Sequence, residues 1–108
     1  MPPKRTKIKY KEKDTQSAIL DYLRATKAHF IRNNTGAFKT ERGGFVRFGT
    51  VGSPDILIFR KGMTYGVEVK STGRKQSPEQ IEWQKRFEKE GFIYILAYNL
   101  DDFLNKYN

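Results

Sequence analysis

The chain has no cysteine and one histidine, His29, in 108 residues. Without cysteine there is no disulfide and no thiolate zinc site, and a reducing compartment is permitted. A lone imidazole does not build a histidine zinc site. His29 sits between a predicted helix and a predicted strand, reads as structural or exposed, and leaves no base placed for a serine or cysteine triad. Long apolar runs are missing too. No stretch approaches the ~20 residues of a membrane-spanning helix, and the charged start of the chain lacks the apolar segment of a signal peptide. The expectation is a chain without a membrane role. Acids are few beside bases: 12 Asp and Glu against 21 Lys and Arg, a formal charge of +9. That imbalance points to a polyanionic partner, nucleic acid above all. The glycines Gly43, Gly44, Gly49 and Gly52 form no phosphate loop, because no G-K-[ST] follows them.

What is present fits one domain with one modest core. "MPPKRTKIKYKEK" holds six Lys and Arg in thirteen residues and reads as a basic arm, placed at 1–11, ahead of a single domain at 12–108. "DTQSAILDYLRATKA" predicts a helix capped by Asp14 or Thr15, with Gln16, Ile19, Leu20 and Leu23 on one face. "HFIRN" predicts a short strand. Residues 34–52 contain five glycines and predict a flexible loop or ragged hairpin, "FVRF" being its candidate strand. "DILIF", "TYGVEVK" and "FIYILAY" predict strands, and "LDDFLNKY" a closing helix. "SPEQIEWQKRFEKEG" predicts a helix with Ser77 at the N-cap, Pro78 at N1, Gln80 at N3 and Gly91 past the end. Trp83 and Phe87, four apart on that helix, are expected in the core. Tyr94 and Tyr98 are expected at the sheet edge. The order predicts an α/β fold.

The stretch "GSPDILIFRKGMTYGVEVKS" carries the chemistry. If Lys61-Gly62 is a two-residue turn, Arg60 faces Met63 and the register follows. Asp55 then lies opposite Glu68, with Cβ atoms about 4.5–5.5 Å apart. Lys70 falls on the same face, and Ile56, Ile58, Tyr65, Val67 and Val69 form the other, a core surface. A slip of one residue would separate the acids. Opposed carboxylates repel unless solvent, a proton or a cation intervenes. Two close carboxylates plus a backbone carbonyl suit Mg²⁺ or Mn²⁺. The bland alternative is a same-face Glu68–Lys70 ion pair and a turn aspartate after Pro54.

Gly52-Ser53-Pro54-Asp55 followed by Glu68-Val69-Lys70 resembles the G-x-P-D…E-x-K pattern of the PD-(D/E)XK nuclease superfamily. More narrowly, the chain resembles the stand-alone form of the VRR-NUC (virus-type replication-repair nuclease) family. Glu12 with Gln16, "RNNTGAF", "KQSPEQ" and "EGFIYILAYNLDDF" match further segments in order. The resemblance implies a restriction-endonuclease-like core, a central mixed sheet flanked by helices. It implies a divalent-metal-dependent endonuclease on structured DNA, similar to Holliday-junction resolvases and acting as a homodimer. It implies Asp55 and Glu68 as central ligands of Mg²⁺ or Mn²⁺, with the Val69 carbonyl as a third oxygen. Lys70 would assist the attacking water and the transition state, Glu12 would approach the metal, and Gln80 would complete the pocket. Gln16 points inward, where an acid sits in related nucleases. Gln80 has a competing duty, since at N3 of a Ser-x-x-Gln capping box it bonds the Ser77 N–H.

Three basic groups would hold phosphates without reading sequence: the arm; Arg32 with Lys39, Arg42 and Arg47; and Arg74 with Lys75. The expected setting is the cytoplasm or nucleoid of a bacterial host, with phage encoding one origin, and no small-molecule cofactor is expected. The alternatives are a non-catalytic DNA-binding module on the same fold, and a restriction or end-processing nuclease.

Overall fold

The computed structural model describes residues 8–33 and 36–108. Most of the basic arm and two residues of the "RNNTGAF" segment lie outside them. Helix α1 (Glu12–Ala25) leads into strand β1 (His29–Arg32), then a hairpin of β2 (Gly36–Lys39) and β3 (Phe45–Phe48). Strands β4 (Ile56–Arg60) and β5 (Met63–Val69), helix α2 (Pro78–Lys89), strand β6 (Ile93–Ala97) and helix α3 (Leu100–Tyr107) complete the chain. The main sheet runs β1-β4-β5-β6, antiparallel except for the parallel β5–β6 pair, and β2–β3 forms a separate two-stranded sheet. The parallel pair requires a crossover, and α2 supplies it. The architecture is the mixed α/β sheet flanked by helices that the sequence predicts.

The alternation of β4 and β5 decides the two faces. Ile56, Ile58, Tyr65, Val67 and Val69 are buried with Ile19, Leu20 and Leu23 of α1, Ile95 and Ala97 of β6, and Phe103 and Tyr107 of α3. Each such side chain contributes roughly 1.5–3 kcal/mol of burial. The opposite face carries Gly66 and Glu68 and is covered by α2. A Cβ at Gly66 would sit 3.0 Å from both the Phe87 ring and the Pro54 ring, so the absent side chain lets α2 and the β4 entry close over the strand.

Two expectations are corrected. Helix α1 begins at Glu12, with Lys11 as an N-cap that makes no side-chain capping bond, so neither Asp14 nor Thr15 caps it. Thr15 is spent elsewhere: it is buried, and its hydroxyl donates to the Tyr98 carbonyl at 3.3 Å. Trp83 and Phe87 do stack, with centroids 4.6 Å apart, but α2 has no buried residue. A single helix on that face leaves its aromatic side half-open. The arm's end is also anchored, since the Tyr10 N–H donates to the Thr72 hydroxyl and the Tyr10 carbonyl accepts the Thr72 N–H. No helix among the described residues is long and apolar enough to cross a membrane.

Candidate active site

The predicted register is the observed one: Arg60 pairs with Met63 and the ladder ends at Ile56 with Val67. Lys61 (φ 51°) and Gly62 (φ 77°) form the turn, both left-handed as a two-residue hairpin demands. One rung past the ladder's end come Asp55 and Glu68, and each carboxyl acts on the other's titration. Pro54 cannot donate to a ladder, so the pairing stops there. The Asp55 side chain takes over, its Oδ2 accepting the Val69 N–H at 2.7 Å. A residue in an extended strand points its N–H and C=O to the same side, so the Val69 carbonyl faces Asp55 as well.

Glu68 is 2 % exposed. Its Oε1 accepts from Gln80 Nε2 at 2.8 Å, while its Oε2 is buried without a hydrogen-bond partner. The two duties of Gln80 prove compatible. Its Oε1 accepts the Ser77 N–H at 2.8 Å and its own N–H donates to Ser77 Oγ at 3.2 Å, closing the capping box. With the amide oxygen held by the cap, the NH₂ end must face Glu68. Burial pushes the Glu68 carboxyl up to about 8; Asp55 and then Glu12 push the same way, and Lys70 opposes. Asp55 is also raised, first by burial, with Glu12 adding and the Val69 N–H and Lys70 opposing. Glu12, although exposed in the first turn of α1, therefore acts electrostatically on the pair. Gln16 is half-buried one turn along. Among the described residues, no three Asp, Glu, His or Cys side chains group as metal ligands.

The part that several residues play in building the site escaped the sequence reading. Asn33, just past β1, pins the loop before Asp55: its Nδ2 donates to Ser53 Oγ at 2.9 Å and to the Pro54 carbonyl at 2.8 Å, and its N–H donates to the Asp55 carbonyl at 2.7 Å. Its signals were an asparagine at a strand end, a common turn residue, and its place in the matched "RNNTGAF" segment. Gly52 (φ +86°) lies against the first turn of α2, and a Cβ there would overlap the Glu79 carbonyl. Tyr94 lies near Glu68, and its hydroxyl accepts from Gln76 Nε2 at 3.1 Å. Burial, then Glu68, raises the Tyr94 phenol well above its ordinary range.

The basic residues separate into groups around this site. Arg32 ends β1 opposite Ile56, next to Asp55. Arg47 lines a cavity of about 400 Å³ with Gly36, Gly52, Ser77 and Gln80. Lys39 and Arg42 are exposed farther out on the β2–β3 hairpin. Arg74 and Lys75 line a different cavity of about 410 Å³ with Tyr10 and Tyr98. The six expected DNA-binding residues thus fall into separate groups, with Arg32 nearest Asp55 in the sheet.

The fold and site define a class: a mixed α/β domain whose central hairpin opens onto a carboxyl pair, Glu68 buried and Asp55 half-buried, with a lysine beside it. No family model matches the chain, and no curated protein matches it. A solved structure titled "VRR_NUC domain" aligns over 90% of this chain and 97% of its own length, with a TM-score of 0.65 at 22% identity. The chain has the fold of a VRR_NUC domain.

Proposed function

We propose that the chain is a VRR-NUC-type nuclease: a divalent-metal-dependent endonuclease hydrolysing phosphodiester bonds of DNA, branched DNA in particular, as a homodimer with two cleavage sites. The observation that carries this reading is the Asp55–Glu68 pair. Two carboxyls facing each other one rung past the ladder, one of them with a buried oxygen that nothing satisfies, suit a hard cation. Asp55, Glu68 and the Val69 carbonyl would hold Mg²⁺ or Mn²⁺, with Glu12 reaching it from α1. When bound, the ion supplies the charge that polarises the phosphodiester and acidifies a water.

The chain's own groups do the rest. The Val69 N–H fixes one Asp55 oxygen, and Gln80 fixes one Glu68 oxygen, so both carboxyls are oriented before substrate arrives. The Lys70 ammonium, on the same face, orients the attacking water and stabilises charge on the phosphoryl oxygens. Arg32 and Arg47 on one side, with Arg74 and Lys75 on the other, hold the flanking backbone. Net reaction adds water across one P–O bond and releases a phosphate end and a hydroxyl end.

One observation favours a second reading, a DNA-binding module without chemistry: the acids number two at the site's centre, with neutral Gln16 on the neighbouring helix. Labelled four-way junction, flap and duplex, each with Mg²⁺, Mn²⁺ or EDTA, decide between them. Metal-dependent cuts that vanish in Asp55→Ala while binding persists support the nuclease. Tight binding with no cuts under any metal supports the module. Paired symmetric nicks confined to junctions support the branched substrate over an end-processing role.

A further inference from the structure

The far end of the β4–β5 hairpin, about 17 Å from Asp55 at 3.3 Å per residue, holds a second feature that the nuclease reading does not use. A cavity of about 420 Å³ opens there between the C-terminal end of α1, the start of β1, the hairpin turn and the end of α3. Lys27, His29, Arg60 and Lys61 line it, and no Asp or Glu does. Among the described residues none of these four has an ion-pair partner.

Two further observations set this cluster apart from scattered surface lysines. Arg60 is locked in place: its guanidinium lies 3.9 Å over the Tyr107 ring, and Nη2 donates to Tyr65 Oη at 2.8 Å and to the Tyr107 carbonyl at 2.7 Å. These bonds engage one of its nitrogens and leave other N–H donors of the fork unspent. Then there is the backbone. Lys27 (φ 56°) and Lys61 (φ 51°) are the two non-glycine residues with positive φ among those described, and both line this cavity. Lys27 ends α1 where glycine is the usual choice, and Lys61 opens a hairpin turn where asparagine or glycine is. Strained residues of this kind collect at ligand sites.

We propose that this cavity is an anion site for a phosphate group, gripped by Lys27, Lys61 and the Arg60 fork. A phosphate is the ligand the chemistry selects, since it takes lysine as a point charge and arginine as a planar fork. It comes either from the backbone of bound DNA or from a free nucleotide. The site stands apart from the carboxyl pair, so Asp55→Ala leaves it whole.

Full-length Asp55→Ala protein in EDTA, with no cleavage possible, is titrated with sodium pyrophosphate, with a deoxynucleoside monophosphate and with a short duplex. Thermal unfolding and backbone NMR are recorded for it and for the same protein carrying Lys27→Gly and Lys61→Asn. The expected result has two parts. Pyrophosphate shifts the amides of residues 27, 28, 61 and 62 and raises the melting temperature, and the double substitution abolishes both responses. Yet the double variant melts higher than its parent without ligand, because glycine and asparagine relieve the left-handed strain. Loss of duplex affinity by about tenfold, with a salt slope shallower by about 1–2, assigns the phosphate to DNA. Unchanged duplex affinity beside a lost nucleotide response assigns it to a free nucleotide. Equal pyrophosphate responses in both proteins, or none in either, overturn the site. A protein that binds pyrophosphate here but no DNA keeps the site and sinks the nuclease reading.

Discussion

The two ends of one hairpin make opposite electrostatic choices. At its open end Asp55 and Glu68 share one face beneath α2, and burial strips them of water until the Glu68 carboxyl rises to about 8. At its turn the exposed Lys27, His29 and Lys61 ring an open cavity with the half-buried Arg60. Like charges meet at both ends, and the difference is burial. A buried pair of like charge must take up a proton or a counter-ion. An open cluster is screened and can stay fully charged. The acid end must therefore be neutralised by a proton or a counter-ion, whereas the basic end can stay charged at little cost.

The comparison breaks most visibly at Glu68. Its replacement by alanine should lower the single-turnover cleavage rate by about 10³-fold while leaving duplex affinity within a few-fold; an undiminished rate would mean the acid end does no chemistry.

Burial can be read separately through pH. Glu68 holds its proton more tightly folded than unfolded, where the carboxyl titrates near 4.5. Its contribution to stability is full below that value and is lost progressively as pH rises through about 8. In EDTA the melting temperature should fall across this window, and Glu68→Gln should flatten the curve. Above pH 8 the variant should gain at least the ~4–8 °C that about 1 kcal/mol represents in a domain this size. Parallel curves for the two proteins would show that the carboxyl is solvated after all.

Next comes the scaffold of the acid end. Gly52→Ala places a methyl against the Glu79 carbonyl at a left-handed φ, so a loss of about 1–3 kcal/mol is expected in urea unfolding. Because the same turn of α2 carries Gln80, cleavage should fall as well. A neutral result would mean that α2 is not clamped to the Asp55 loop.

The smallest effect belongs to the basic end. Lys61→Asn alone should stabilise the protein by about 0.4–1 kcal/mol through its turn preference, measurable as a shift in denaturant midpoint at constant m-value. Destabilisation would imply that the lysine makes a native contact worth more than its strain.

How far these ends could be read in advance follows from what each depends on. The acid pair was legible because it rests on local rules: a two-residue turn fixes a register, and a register fixes which side chains share a face. The Ser77–Gln80 capping box was legible for the same reason. The second bond of Gln80, the loop clamp of Asn33 and the close approach at Gly52 were not, since each joins segments far apart in sequence. Thr15 was misassigned as a cap because its partner, the Tyr98 carbonyl, lies 83 residues away. The basic cavity was invisible for the same reason: its walls come from α1, β1, the hairpin turn and α3, segments far apart in sequence that only packing brings together.

The sequence by itself determined the α/β order, the hairpin register and the shared face of Asp55 and Glu68, because alternation and turn length act over a few residues. Only the tertiary structure decided that Glu68 loses its water, that Gln80 serves cap and carboxyl at once, and that Lys27, Arg60 and Lys61 converge at the other end. Those outcomes depend on which surfaces α2, α1 and α3 cover, and that is settled by packing between segments that local rules leave unrelated.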